Sequence, residues 1–210
     1  MRRVSADRVR TFRPERMSGA GCLNEVMRII GGRARGLTLY TPKGLTVRPT
    51  SDRVKEAVFD ILPDMEGRSF LDLYAGSGNM GLEALSRGAF RVVFAEKNRT
   101  CIETIRRNLA RLHTESSSEV IEASAEQALR RLSRRKKDFD VIFADPPYEK
   151  GYVADTLNLL RRWNSLLRDS GLLVLQHSVR EEPGDDLTPF VLERRRRYGE
   201  TKISFFKGGG

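Results

Sequence analysis

Phe70-Leu71-Asp72-Leu73-Tyr74-Ala75-Gly76-Ser77-Gly78-Asn79-Met80-Gly81 is the stretch on which the reading of this chain turns. A short run from Ser69 to Leu73 ends in a glycine turn, and a helical pattern follows from about Asn79 to Arg87. An apolar run bounded by turn signals reads as a buried strand. Gly76 and Gly78 give the backbone freedom at the turn and let a ligand come close where a side chain would block it. The helix that follows begins with N–H groups that have no partner in the helix, a natural place for an anion. Gly76 to Gly81 fits the pattern G-x-G-x-x-G, and Glu96 lies twenty positions after Gly76, at the end of the next predicted strand. This arrangement points to a nucleotide-like cofactor whose ribose hydroxyls meet Glu96.

Asp72 narrows the choice of cofactor. A carboxylate just before the loop is unwelcome beside a pyrophosphate. It suits a ligand that carries a cation, such as the ammonium of S-adenosylmethionine, often through water. Taken alone, the loop also admits a dinucleotide or a purely structural turn. Asp-x-x-x-Gly-x-Gly with a later acidic residue favours S-adenosylmethionine.

Outward from this loop the pattern becomes regular. Strands are expected at 69–73, 91–95, 119–122, 139–144 and 172–176, with helices at 79–87, 99–112, 125–132 and 152–167 between them. Strands alternating with helices predict a parallel, doubly wound α/β sheet, with ligands outside the carboxyl ends of its strands. Segments 190–195 and 202–206, around a turn at Tyr198-Gly199, are expected to close the sheet as an antiparallel pair. Upstream, residues 27–41 read as a small hairpin. A helix follows, with Thr50 or Ser51 as N-cap and an apolar stripe of Val54, Ala57, Val58, Ile61 and Leu62. Residues 1–26 are rich in Arg, Ser and Gly with no apolar period, and are expected to be a disordered leader. The expected organisation is a leader (1–26), a hairpin and helix with a cationic face (27–67), and the main domain (68–207).

Composition sets the outer bounds. The 210 residues suffice for one α/β domain, and 39% hydrophobic with 31% charged residues is a globular balance. No apolar run approaches the roughly 20 residues of a membrane span. The basic first residues lack the apolar region of a secretory signal. Cys22 and Cys101 have no metal-binding spacing and read as free thiols of a reducing cytoplasm. No metal is implied, and a monomer is the default. A net charge of +10 favours a polyanionic partner, with nucleic acid the first candidate.

The motif Asp145-Pro146-Pro147-Tyr148 follows the fourth strand of the sheet, on the same edge as the glycine loop. The prolines fix the backbone and donate no hydrogen bond, so this loop offers acceptors: the Asp145 carboxylate and the proline carbonyls. Two rigid acceptors hold both protons of an exocyclic amine on a base and aim its lone pair at an electrophilic methyl group. Tyr148 can stack on the base, worth roughly 1–3 kcal/mol. Positioning of this kind can supply up to about 7–11 kcal/mol of the barrier reduction. The bland reading is a rigid turn carrying a stacked aromatic ring, and the cofactor loop upstream weighs against it.

Together these motifs resemble the class I amino-methyltransferases that act on nucleobases. More narrowly, Met27–Gly36 (MRIIGGRARG), Arg48–Ala57 (RPTSDRVKEA) and Asp72–Ala89 (DLYAGSGNMGLEALSRGA) resemble the RsmD family of bacterial 16S ribosomal RNA guanine-N2 methyltransferases, over about residues 27–207. The resemblance implies a Rossmann-like methyltransferase fold that binds S-adenosylmethionine. Asp72, Tyr74, Ala75, Gly76, Ser77 and Gly78 would line its methionine side, and Glu96 and Lys97 would lie at the ribose. Ser124 and Ala125 would border the adenine, although the family commonly has Asp where Ser124 stands. Asp145, Pro146, Pro147 and Tyr148 would hold an unstacked guanine for direct in-line methyl transfer. Arg33, Arg35, Arg48 and Arg53 would contact RNA phosphates, within ribosomal RNA or a small-subunit particle. A DNA or RNA adenine-N6 methyltransferase shares the Asp-Pro-Pro-Tyr motif and is the nearest rival. A non-catalytic RNA-binding protein on the same fold is a second rival.

Overall fold

A computed structural model describes residues 27–42, 51–148, 151–184 and 187–208. The expected leader, Cys22 and Arg48 lie outside the described residues. The core is a seven-stranded sheet in the order β3-β2-β1-β4-β5-β7-β6. Its strands are β1 (Ser69–Leu73), β2 (Arg91–Glu96), β3 (Ser118–Glu122), β4 (Phe139–Ala144), β5 (Leu167–Ser178), β6 (Phe190–Tyr198) and β7 (Thr201–Gly208). The first five run parallel, while β7 is antiparallel to both β5 and β6. The order reverses at β1, whose neighbours are β2 and β4, and this opens a crevice at the carboxyl ends of those strands.

Side-chain alternation divides the core in two. Phe70, Phe94, Val141, Phe143 and Val174 face one side, and Leu71, Leu73, Val93, Ile142 and Leu175 the other. The helices α2 (Asn79–Ser86) and α3 (Arg99–Leu112) cover the first face. The second is covered by α4 (Ala125–Arg134) and α5 (Tyr152–Arg162). The helix expected over 152–167 stops at Arg162. Trp163 leaves helical geometry, a single 3₁₀ turn spans Asn164–Leu166, and Leu166 and Leu167 turn inward to join the second core.

The upstream segment is fastened to the first face. Residues 27–41 form a hairpin with a single bridge, Arg28 to Thr38, backed by bonds from Ile29 N to Leu37 O and from Leu39 N to Met27 O. Met27, Ile29, Leu37 and Leu39 share the core of α2 and of α1 (Asp52–Phe59). Ser51 caps α1 by accepting from Val54 N. At the centre lies Lys55, fully buried. It donates to Arg28 O at 2.5 Å and to Asn79 Oδ1 at 2.8 Å, and lies 3.4 Å from the equally buried Glu83 carboxylate. Glu83 also accepts from Ile30 N and Arg87 Nε. One buried ionic cluster therefore joins the hairpin, α1 and the helix that follows the glycine loop.

Candidate active site

The crevice holds a cavity of about 1240 Å³. That exceeds the few hundred to roughly 1,000 Å³ of a single small-ligand pocket. The glycine loop forms its floor. Gly76 and Gly78 have φ of +53° and +81°, the left-handed region that glycine adopts without penalty. Tyr74 also has positive φ, +67°, a strained conformation for a residue with a side chain, and its hydroxyl shares a hydrogen bond with Thr156 Oγ1 at 2.8 Å. A Cβ added at Gly76 would meet nothing within 4 Å. The space over this loop is open to a ligand, not filled by protein.

The acidic groups expected at the cofactor are brought to this cavity, each with its own role. Glu96 accepts from Gly76 N through Oε2 and from Lys97 N and Asn98 N through Oε1, each at 2.8 Å. It thereby ties the β2 end to the glycine loop, and a carboxylate has about four acceptor sites, so capacity for ribose hydroxyls remains. Asp72 is 2% exposed and accepts from Gly81 N at 2.9 Å. Burial pushes its pKa up to about 8, against the lowering effect of the Gly81 bond and with the help of nearby Asp145 and Glu96. A buried acid beside two other acids fits a cationic ligand group, which would offset that cost. It does not fit a pyrophosphate.

Ser124 and Ala125 line the same cavity. Ser124 is the N-cap of α4 in a capping box. Its Oγ accepts from Gln127 N, and its own N–H donates to the Gln127 side chain. Lys97 lines the rim, while Cys101, one turn into α3, is buried with its thiol pushed up to about 11 by burial.

Asp145, Pro146, Pro147 and Tyr148 leave β4 into the cavity beside Asp72. Asp145 N donates to Leu73 O, extending the pairing of β4 with β1 one residue past the strands. Pro146 is buried and Pro147 exposed, while Asp145 and Tyr148 are half-buried. Tyr148 Oη accepts from Gln176 Nε2 at 3.1 Å.

Of the expected RNA contacts, Arg53 lies on this cavity. Arg33 and Arg35 do not. Their turn packs on the far end of α2, where Arg33 N donates to Ser86 O, and the exposed Arg33 side chain pairs with Glu66. Sequence reasoning missed Gln176 on β5 and the tip of the β6–β7 hairpin, Arg197, Tyr198 and Gly199, which also lines the cavity. The run Arg194–Arg197 reads as a solvated charge run. Yet β7 returns antiparallel to β5, so β6 runs with the parallel strands and ends on the ligand edge. The turn residues carried the signal, but only the strand order gives it meaning.

This sheet order, with its glycine loop and acidic crevice, is that of a class I, Rossmann-like, S-adenosylmethionine-dependent methyltransferase. Residues 27–207 match the family described as Conserved hypothetical protein 95, and the chain belongs to it, the RsmD family. The chain is similar to Ribosomal RNA small subunit methyltransferase D of Escherichia coli K12, 36% identical over 77% of this chain and 78% of the relative. The protein of the same name in Haemophilus influenzae is also 36% identical, over 71% and 78%. Among solved structures, the hypothetical protein TTHA0928 of Thermus thermophilus superposes with a TM-score of 0.74 at 34% identity, over 87% of this chain and 99% of that one. The solved SMU.776, complexed with SAH, shares the fold at 14% identity, with a TM-score of 0.61 over 74% of this chain and 48% of that one. Among the described residues no helix is long and apolar enough to cross a membrane.

Proposed function

We propose that this protein methylates the exocyclic N2 amine of a guanine in bacterial 16S ribosomal RNA by direct in-line transfer. The observation that carries the reading is that Asp145 to Tyr148 and the acidic glycine-loop crevice open into one cavity. S-adenosylmethionine supplies an electrophilic methyl group on a sulfonium. Every other task falls to the chain. Asp72 faces the cofactor's ammonium, Glu96 and Lys97 its ribose, and Ser124 and Ala125 its adenine. Tyr74, Ala75, Ser77 and Gly78 shape the methionine side.

The Asp145 carboxylate and the Pro146 carbonyl accept the two amine protons, and Pro147 keeps the loop rigid. Held this way, the nitrogen lone pair points at the methyl group, and Asp145 is placed to take the proton released when the nitrogen is alkylated. Tyr148 stacks on the base, which must leave its own stack to enter, a cheap step in an RNA loop. The relatives' names support ribosomal RNA of the small subunit as the substrate. A monomer acting in the cytoplasm on RNA or an assembling small-subunit particle completes the reading, with Arg53 touching phosphates at the cavity.

The test is methyl transfer from labelled S-adenosylmethionine to unmodified small-subunit particles, naked ribosomal RNA and duplex DNA, followed by digestion to nucleosides. Label in N2-methylguanosine, lost in Asp145→Ala, is the expected result. Label in N6-methyladenine would overturn the substrate, and cofactor binding with no transfer anywhere would make the chain an RNA-binding protein.

A further inference from the structure

Among the described residues, several buried side-chain polar atoms lack a partner, and of these only Gln176 Oε1 belongs to a residue lining the cavity. Gln176 is 6% exposed. Its Nε2 is committed to Tyr148 Oη at 3.1 Å, which leaves the oxygen as the free end of the amide. A buried acceptor with nothing to accept is unfavourable, and in a ligand cavity the natural remedy is a donor on the ligand.

The position of Gln176 says which donor. Ala144 on β4 pairs in register with Leu175 on β5, so Asp145 and Gln176 are the next residues on neighbouring strands. Neighbouring strands lie about 4.8 Å apart, and side chains at matched positions share a face. Asp145 and Gln176 thus present two acceptors side by side, with the Tyr148 hydroxyl held by the Gln176 amide. Guanine carries two adjacent donors on its Watson–Crick edge, the N2 amine and N1–H. Adenine carries its N6 amine beside N1, which is itself an acceptor.

We propose that Gln176 Oε1 accepts N1–H of the target guanine, and that this contact selects guanine over adenine. The inference rests on the guanine-N2 reading above and deepens it. With the N2 amine on Asp145, N1–H falls to the neighbouring acceptor. An adenine placed with its amine on Asp145 sets the N1 lone pair against the Gln176 oxygen and leaves that oxygen still unpaired. Sites built to hydrogen-bond a substrate group discriminate strongly against analogues that lack it, because the unmatched polar group stays buried. Gln176 is therefore a specificity residue: it touches the base but takes no part in the transfer.

The test uses small-subunit particles carrying either guanosine or 2-aminopurine riboside at the methylated position. The analogue keeps the 2-amine and replaces N1–H by a bare acceptor nitrogen. Wild-type protein should prefer guanosine in kcat/KM by about tenfold to a hundredfold, the scale of one buried unmatched hydrogen bond. Gln176→Met should erase most of that preference, while Gln176→Glu, which keeps an acceptor oxygen at this point, should keep it. Binding of S-adenosylmethionine to each variant reports on folding and should be unchanged.

If wild-type protein forms no N2-methylguanosine, the proposed reaction and this inference fall together. If it forms N2-methylguanosine but Gln176→Met keeps the full preference, only the inference falls. Collapse of the preference in Gln176→Glu would mean that the amide nitrogen reads O6, which also overturns it. Loss of cofactor affinity in Gln176→Met would assign the oxygen to the cofactor and likewise sink the inference.

Discussion

At Asp72 burial and function pull against each other. Its carboxyl is 2% exposed and lies near Asp145 and Glu96, and its pKa is raised to about 8. The sign follows from linkage. Between the ordinary carboxylate range and about 8 the folded protein holds a proton that the unfolded chain has lost, so stability falls as pH rises through that window. Asp72→Asn removes this liability. We expect the variant without cofactor to be more stable than wild type at about pH 8, with the gap closing towards about pH 5, as read by thermal unfolding. Cofactor binding should show the opposite trend. A carboxyl that ionises to meet an ammonium binds better as pH rises, so the affinity of wild type relative to Asp72→Asn for S-adenosylmethionine should increase between about pH 6 and 8. A flat ratio in a calorimetric titration would show that Asp72 does not face the cation. Asp72→Asn thus separates the cost of the buried acid from its use.

The unit of strand, loop and helix from β1 to α2 was legible as an element because each residue type has one job there. Glycines in G-x-G-x-x-G mark a turn, and the third of them serves packing. A Cβ on Gly81 would lie 2.3 Å from Phe94 Cε1, whereas one on Gly76 meets nothing. Gly81→Ala should therefore lower the unfolding free energy, read by denaturant titration, by roughly 1–3 kcal/mol of overpacking. Gly76→Ala should also cost about 1–2 kcal/mol, because a Cβ is strained at φ +53°, but its methyl enters the ligand's space, so it should weaken cofactor binding far more than Gly81→Ala does. An equal fall in cofactor affinity in the two variants would contradict this division. The five parallel strands and the Asp145–Tyr148 loop were legible for the same reason: period, turn residues and motif all agree there. Lys55 was not. It sits beside the apolar stripe of α1, and nothing in its neighbours announces that it is fully buried among Arg28 O, Asn79 and Glu83. Desolvation lowers its pKa, opposed by Glu83 and Asp52. Removing one partner of such a buried pair strands the other, so Lys55→Met should cost about 3 kcal/mol. Since Asn79 opens α2 at the cavity, its cofactor affinity should fall as well. Gln176 escaped for a different reason: its meaning comes from a neighbour on another strand, and pairing register cannot be read from one segment.

For the whole molecule the question is how a net charge of +10 is distributed. Because β6 runs with the parallel strands, its carboxyl end puts Arg197 on the same cavity as Arg53 at the start of α1. The start of α2 lies at this edge, and the helix carries the chain away from it for about 1.5 Å per residue. That places the Arg33 and Arg35 turn, packed on Ser86, towards the opposite edge. The run that begins at Arg134 closes α4, which starts at the cavity with Ser124 and likewise leads away from it. Positive charge is thus unevenly relevant. Arg53 and Arg197 line the cavity and Arg33 does not; since Arg33 pairs with Glu66 and Arg197 with Glu200, both at the surface, position and not pairing separates them. Each phosphate contact releases counterions, and log K falls against log salt with a slope of about −0.7 per contact for single strands. Arg53→Ala and Arg197→Ala should each weaken RNA binding and flatten that slope by roughly one contact, measured by filter binding or anisotropy over a salt series. Arg134→Ala should leave the slope unchanged, and Arg33→Ala should change it less than Arg53→Ala. If all four variants flattened it equally, the charge would act as a diffuse field around the molecule, and the RNA path over the α1 and β6–β7 rims would be wrong.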